Sequence, residues 1–467
     1  MGTERGGGPH GWQRPRVEKA LNVGNGKVTS AIQGRTVPLR DAERELRRAW
    51  MGADEQVRHA QGQGVLRLRE INLVVWVDRE ADAGAARATA ARVMRVHPGR
   101  VIVLAPQEVA GPSSFGTAGG EDPDSGPSAF ISIACLRDDE SDRQVCSEEV
   151  VICGTGEPRA LQAVVLQLLV PDLPVVTWWL GAVGPSVSQL GWLADASDRM
   201  IMDAQSFSDP AQGMQVLSKM LSASRETTRP ALTDLSWLRA APWRKLIAEL
   251  FEAPERRLLL GDIDRVVVEH DSALPQALLF GAWFGSRLGF DRAGGDWWRQ
   301  KDAWRVRLSP RAEHQRVEDD RRGNGQNAGT TGPNERRNGY GLSLASPASD
   351  MGRSLVLELR RATRGTEAAP GMVGVSVHTN RAAPVEDFEG AQTIYLRRWT
   401  HSYSCVACTR GDAAESTLKG LELPPDEDWA LLSAAIESRP RDRLFEEAAR
   451  VAGELASLPG ADGPREE

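Results

Sequence analysis

The 467-residue chain contains no uninterrupted apolar run suited to crossing a bilayer, and it has only five cysteines. The best candidate span, residues 160–184, is broken at its centre by Pro171, Asp172 and Pro174. Prolines interrupt a helix and an aspartate is costly at mid-membrane, so a helix, a turn and a strand are expected there and no membrane is a partner. The cysteines are odd in number and show no framework of paired spacings, which suits free thiols in a reducing compartment. The first thirty residues mix Arg, Glu, Gly and Pro without the apolar core of a signal peptide, so the expected location is cytoplasmic. Charge of one sign is also scarce: 57 Lys and Arg face 64 Asp and Glu, for a net charge of -7. That balance excludes a general electrostatic attraction to nucleic acid.

Catalytic signatures are equally sparse. No P-loop sequence, GxSxG elbow or recognisable metal-ligand spacing is present. Gly154-Thr155-Gly156 follows a predicted strand and opens a predicted helix, as a dinucleotide fingerprint does. Arg159 stands where the third glycine is needed, however, and Glu157 sets a carboxylate where phosphate would bind, which favours a plain strand-to-helix turn. Cys405 and Cys408 have redox-pair spacing and read either as a thiol switch or as two inert thiols. With no second CxxC or His pair nearby, they do not read as a zinc site. Cys146 and Cys153 read as core residues, His97 and His401 as turn or loop residues, and Asp262 with Asp264 as the entry to a strand. No catalytic residue, cofactor or metal is therefore expected.

What is present is dense regular patterning. The length suits two domains. Strand patterns at 71–77 and 100–104 flank an Ala-rich helix at 82–96, a β-α-β unit. Strands at 129–136 and 145–153 suggest a hairpin, followed by a helix at 157–170 and strands at 175–179 and 199–203. The fold expected is α/β in two domains. The first is a Rossmann-like mixed sheet with flanking helices, and the second a smaller α/β or α+β domain. The expected limits are a flexible tail at 1–34, a first domain at 35–228, a second at 229–458 and a short tail at 459–467. A polar insertion at about 310–340, rich in Arg, Asp, Gly and Asn, is expected to be mobile.

Tryptophan is the unusual presence, with 14 residues against 3 Tyr and 9 Phe. Trp178 and Trp179 are adjacent on a predicted strand and must point to opposite sides. One reading makes both rings core, while the other turns one toward a partner protein, since Trp is enriched in binding hot spots.

The same region carries a family resemblance. Pro171-Asp172-Leu173-Pro174, Trp178-Trp179 and Asp198-Arg199-Met200-Ile201-Met202-Asp203 resemble the centre of the first domain of the OpcA glucose-6-phosphate dehydrogenase assembly family. Asp234-Leu235-Ser236-Trp237-Leu238-Arg239, Ala241-Pro242-Trp243-Arg244, Pro254-Glu255-Arg256-Arg257 and Gly285-Ser286-Arg287-Leu288-Gly289 resemble the family nearly in register. The resemblance implies a non-catalytic assembly factor and allosteric activator whose partner is glucose-6-phosphate dehydrogenase, in the oxidative pentose phosphate pathway. Trp178, Trp179, Arg239 and Trp243 combine family-matching positions with hot-spot residue types and are the candidate partner contacts. The competing reading is an α/β enzyme or sensor holding a sugar phosphate or nucleotide at the carboxyl ends of the first sheet.

Overall fold

The computed structural model describes residues 28–61, 69–78, 80–105, 128–137, 144–153, 158–181, 187–223, 230–300, 303–310, 354–362, 371–379, 393–398, 404–410, 415–422, 427–438 and 441–458. The chain divides into two units. The first comprises Met1–Ile201, Arg229–Ala231 and Asp428–Glu437, and the second Met202–Thr228, Leu232–Glu427 and Ser438–Glu467.

The first sheet comprises strands β1 (Val28–Pro38), β2 (Ile71–Val77), β3 (Gly99–Ala105), β4 (Ser128–Arg137), β5 (Gln144–Cys153), β6 (Val175–Leu180), β7 (Arg199–Met202) and β8 (Ala231–Asp234), with Met202 of β7 and Leu232–Asp234 of β8 assigned to the second unit. Their order is β1-β4-β5-β3-β2-β6-β7-β8. β5, β3, β2 and β6 are parallel, while β1, β4 and β5 pair antiparallel. Every residue of β2 and β3 is buried, which is why both read as continuous apolar runs without alternation. Helices α1 (Ala42–Gln61), α2 (Glu80–Val93), α3 (Pro158–Leu168) and α4 (Val187–Asp195) accompany the sheet.

Asn72, fully buried on β2, exchanges two hydrogen bonds with the Val170 backbone at 3.0 and 2.8 Å. It thereby anchors the turn between α3 and β6, where Asp172 takes a positive φ of 64°. The broken apolar run, over its described part 160–181, is thus a helix, a turn and a strand. Among the described residues no helix is long and apolar enough to cross a membrane.

The second unit contains α5 (Pro210–Ala223), α6 (Leu235–Arg239), α7 (Ala241–Leu250), α8 (Pro254–Arg257) and α9 (Leu274–Arg287). Its strands are β9 (Ile263–Asp271), β10 (Phe290–Gln300), β11 (Ala303–Pro310), β12 (Leu355–Arg361), β13 (Gly371–Thr379), β14 (Thr393–Arg398), β15 (Ser404–Arg410) and β16 (Glu415–Glu422). They run in the order β10-β11-β12-β9-β13-β14-β15-β16, with β9 and β12 parallel and all other neighbours antiparallel. Each sheet has eight strands, so the expected difference in domain size does not lie in the sheets.

α9 is apolar all round because it is buried all round, from Pro275 to Ser286. The last two helices, α10 (Asp428–Glu437) and α11 (Arg443–Ala456), part company. α10 belongs to the first unit, where the Arg92 guanidinium lies 4.6 Å from the Trp429 ring centre, whereas α11 packs on α5 and α9 in the second.

Several expectations change. β1 begins at Val28, so the tail expected at 1–34 loses its last seven residues to a strand paired with β4. Residues 202–228, expected in the first domain, belong to the second unit. Cys146 is disulfide-bonded, against the expectation of free thiols, and its Cα partner across the β4–β5 ladder is Cys135. The polar insertion at 310–340 lies outside the described residues apart from Pro310, the last residue of β11, and the terminal stretch 459–467 lies outside them entirely.

Two helical glycines respond oppositely to the same substitution. A methyl group at Gly285 in α9 would sit 2.9 Å from the Phe290 carbonyl oxygen and 2.8 Å from Leu308 Cδ1, whereas at Gly84 in α2 it would meet nothing within 4 Å. Alanine is favoured over glycine in a helix by about 1 kcal/mol, and overpacking costs about 1–3 kcal/mol. Gly84→Ala should therefore raise the melting temperature and Gly285→Ala lower it. Thermal denaturation of the two variants beside the wild type checks both signs.

Candidate functional site

Some of the residues that carry the family resemblance, Asp203 and those of 234–244, form two polar clusters in the second unit. At the first, Asp234 ends β8 and caps α6, accepting from the Ser236 N–H with one oxygen and from the Ala204 N–H with the other, both at 2.8 Å. Asp203 caps the short turn Ala204–Ser206 by accepting from the Gln205 N–H at 3.2 Å. The Arg239 guanidinium, at the end of α6, then donates to both oxygens of Asp203 at 2.9 Å. A helical turn presents unsatisfied N–H groups at its start, and a carboxylate there satisfies them and complements the helix dipole.

The Arg239 guanidinium is thus bonded to Asp203, while the buried Asp234 feels it only through its charge. Burial, reinforced by the charge of Asp203, pushes the Asp234 carboxyl up to about 7 from an ordinary 3.8. The hydrogen bonds from Ala204 and Ser236 and the charge of Arg239 pull the other way.

The second cluster lies one turn further on. The Arg244 guanidinium stacks 3.3 Å from the Trp237 ring centre and donates to the Trp237 carbonyl at 2.6 Å. The Trp237 indole N–H donates to Asp442 at 2.9 Å, and the other oxygen of Asp442 caps α11 through the N–H groups of Leu444 and Phe445. Burial lowers the Arg244 guanidinium to about 9, opposed by Asp442. Sequence reading missed both clusters, because Asp442 is about two hundred residues from Trp237 and the pairing of Asp203 with Arg239 depends on which segments the fold brings together. The one local signal was the capping pattern of Asp234 and Asp442, each followed by an apolar helix.

The predicted contact residues are placed differently from expectation. Trp178, Trp179 and Trp243 are 2%, 1% and 2% exposed, so their rings lie in the core and offer no surface to a partner. Arg239 is half-buried and spends its guanidinium on Asp203. Trp179 stacks on Trp76 with ring centres 5.1 Å apart and 3° between planes. Their N–H groups donate to the Gly181 carbonyl at 3.0 Å and to Asp78 at 2.7 Å.

That stack sits at the carboxyl ends of β2 and β6, the point where the strand order reverses and where open α/β sheets commonly receive ligands. Gly154-Thr155-Gly156 and His401 lie outside the described residues. Among the described residues no group of three or more His, Cys, Asp or Glu is arranged to hold a metal ion.

Cys405 and Cys408 both fall on β15, with Arg398 and Tyr395 as their Cα partners on β14. Three residues of extended strand span about 10 Å, beyond the about 4.4–6.8 Å between the Cα atoms of a disulfide. The strand therefore argues against a local disulfide in this conformation.

Comparison with known proteins follows the same residues. Residues 90–219 match the family described as the glucose-6-phosphate dehydrogenase subunit N-terminal domain, and residues 230–449 match its C-terminal domain. The chain belongs to the OpcA family. A Synechocystis protein named as an OxPP cycle protein OpcA is 30% identical over 168 residues, covering 35% of this chain and 34% of that protein. A Nostoc punctiforme protein of the same name is 26% identical over 345 residues, covering 72% of this chain and 63% of that protein. The chain thus spans between a third and two thirds of these OpcA relatives. A solved aldose-aldose oxidoreductase from Caulobacter crescentus, complexed with glycerol, superposes with a TM-score of 0.39 at 10% identity, over 83% of this chain and 95% of that one. At that similarity nothing is carried across.

The buried cluster generates two expectations. Arg239→Gln takes the guanidinium from the carboxylates, and breaking a buried pair costs about 3–5 kcal/mol. The melting temperature should drop by roughly 10 °C, with only partial recovery in Arg239→Lys, which lacks the planar fork. Asp234 sets a pH dependence. Its unfolded carboxyl ionises near 4 and its folded one near 7, so its stabilising contribution is complete below about 4 and is lost as pH rises through 7. The loss runs at up to about 1.4 kcal/mol per pH unit. Melting temperatures measured from pH 5 to 8 should slope downward from this source, and the slope should flatten in Asp234→Asn.

Proposed function

We propose that this protein is a non-catalytic assembly factor and allosteric activator of glucose-6-phosphate dehydrogenase, acting in the oxidative pentose phosphate pathway. The observation that carries this reading is the match of both domains, in order and over most of the chain, to the family described as a subunit of that dehydrogenase. The site geometry is compatible with it. The acidic groups of the two clusters are committed to capping and pairing: Asp203 to Arg239, Asp234 to two backbone N–H groups, and Asp442 to Trp237 and α11. Groups held this way order the chain between motifs.

An activator with no turnover of its own acts by binding the active form of the enzyme better than the inactive form, because an equilibrium shifts only through differential affinity. A tenfold difference in affinity corresponds to about 1.4 kcal/mol, within the usual range of allosteric coupling.

The protein added alone to glucose 6-phosphate and a nicotinamide cofactor should give no reduced cofactor. Added to the dehydrogenase from the same organism, it should lower the apparent substrate requirement or shift the enzyme to a larger oligomer, saturating with protein concentration. Steady-state kinetics and sedimentation of the mixture check both. Turnover by the chain alone, or binding of glucose 6-phosphate or a nucleotide without the dehydrogenase, would return the ligand-binding α/β enzyme to first place.

A further inference from the structure

In the second unit α9 begins at the carboxyl end of the parallel pair β9 and β12, shortly after His270. It packs on the sheet face that carries Leu357, since a methyl group built on its Gly281 would sit 2.7 Å from Leu357 Cδ1. The register pairs Val266 with Leu357, Val268 with Leu359 and His270 with Arg361. Side chains alternate along a strand, so His270 and Arg361 share the face of Leu357, at the level where α9 starts.

Hydrogen bonds fix that level from both flanks. The Ala362 N–H donates to the His270 carbonyl at 2.9 Å, which keeps Arg361 beside His270. On the other side Met372 is the Cα partner of His270, and its N–H donates at 3.1 Å to Oε1 of Gln276, in the first turn of α9. The start of α9 thus faces His270 across a single side chain.

Several polar groups meet here without a protein partner. His270 is 9% exposed, and its Nδ1 has no hydrogen bond among the described residues. Arg361 is exposed and makes no ion pair among the described residues. The N-cap of α9 is Ala273, so no side chain caps the helix. Pro275 supplies no N–H, and those of Leu274 and Gln276 have no acceptor within the helix. Gln205 closes the other side of the same turn. Its Nε2 donates to the Ser272 carbonyl, while its Oε1 is buried and without a partner among the described residues. Asp271 is the carboxylate beside His270, but strand alternation turns it to the opposite face, where the Ser272 hydroxyl donates to it at 3.2 Å.

We propose that this end of the second sheet is a binding site for inorganic phosphate, held by the Arg361 guanidinium, the first N–H groups of α9 and the His270 imidazole. A helix N-terminus beside an arginine suits an anion because its open N–H groups and its dipole both favour negative charge. Burial, then the charge of Arg361, lowers His270 to about 4 against the pull of Asp271, so the imidazole is neutral and can carry its proton on Nδ1 as a donor. Inorganic phosphate still bears a proton at neutral pH, and that hydroxyl is what the Gln205 Oε1 acceptor lacks. Sulfate has no such proton, and a phosphate monoester has mostly lost it at neutral pH, so either leaves the buried acceptor unmatched. The function proposed above neither requires this site nor follows from it.

The test is calorimetric titration of the full chain alone with phosphate, sulfate and glycerol phosphate at neutral pH and matched ionic strength. Phosphate should bind with a Kd below about 1 mM, and the other two about fivefold more weakly or worse. Arg361→Gln should weaken phosphate binding by about tenfold while the melting temperature without phosphate stays unchanged, and Arg361→Lys should recover part of the loss. The ring nitrogen resonances of His270, identified by their absence in His270→Asn, should shift on adding phosphate. Arg361→Gln changes a surface position and covers the case in which His270→Asn fails to fold.

Phosphate binding that Arg361→Gln leaves intact, or a His270 ring that phosphate does not perturb, would overturn the site. Sulfate or glycerol phosphate bound as tightly as phosphate would overturn the assignment to inorganic phosphate. An absence of binding by all three would overturn the proposal while leaving the proposed function standing.

Discussion

The second unit depends on two buried aspartates, Asp203 and Asp234, that must be satisfied beside the half-buried guanidinium of Arg239. Each member is fixed by backbone geometry. Asp234 holds the N–H groups of Ala204 and Ser236, which lie on separate segments, and Asp203 holds the turn that precedes α5. Arg239 then locks to Asp203 through both oxygens. An apolar substitute would fill the volume but leave those helical turns uncapped, so the cluster serves chain direction more than net energy. A buried ion pair is often no better than well-packed hydrocarbon in free energy, and register is its best-attested use.

From that fixed point the packing follows outward. α6 carries Trp237, whose indole N–H reaches Asp442 and so places the start of α11, and the Trp237 ring meets Phe445 at 5.7 Å. α11 in turn lies close to α5, where Gly453 gives passage to Ser218. The motif 234–244 is therefore a splice: Asp234, Trp237 and Arg239 each hold a partner elsewhere in the chain, while Arg244 bonds back to the Trp237 carbonyl. Its near-register resemblance to a family does not require contact with another protein. It follows if the splice is what makes the second unit fold in one way.

The fold was legible wherever a strand or helix announced itself by local pattern. Ile71–Val77 matches the expected strand end to end, and the β-α-β unit and the pairing of the two strands within 129–153 are present. What escaped was set by distant pairing. β10 and β11 hold Trp297, Trp298 and Trp304 among Arg and Gly, a composition with no clear period, and β10 carries an irregular register against β11. β15 was obscured by the CxxC pattern, which drew a chemical reading to residues whose backbone is plain strand. The tryptophans misled for a related reason. A pair of adjacent rings on a strand must point two ways, but a central strand has protein on both sides, and nothing in the local sequence says whether a strand is central. The value of Trp178 and Trp179 as interface candidates fell once β6 proved to lie between β2 and β7.

The position of the OpcA family motifs relative to exposed surface bears on where recognition is to be sought. The segment 234–244 is buried or half-buried, with Asp234, Trp237 and Arg239 committed to partners within the chain, whereas Pro171, Asp172, Pro174, Pro254 and Arg257 of the other quoted motifs are exposed. A protein that works by binding does not need its most recognisable sequence on its surface: the buried splice has one solution, while a surface must match whichever partner it meets. On this division the family signature marks the scaffold. Specificity for a partner is then to be sought outside the splice, because Asp203, Asp234 and Arg239 are already committed to the fold.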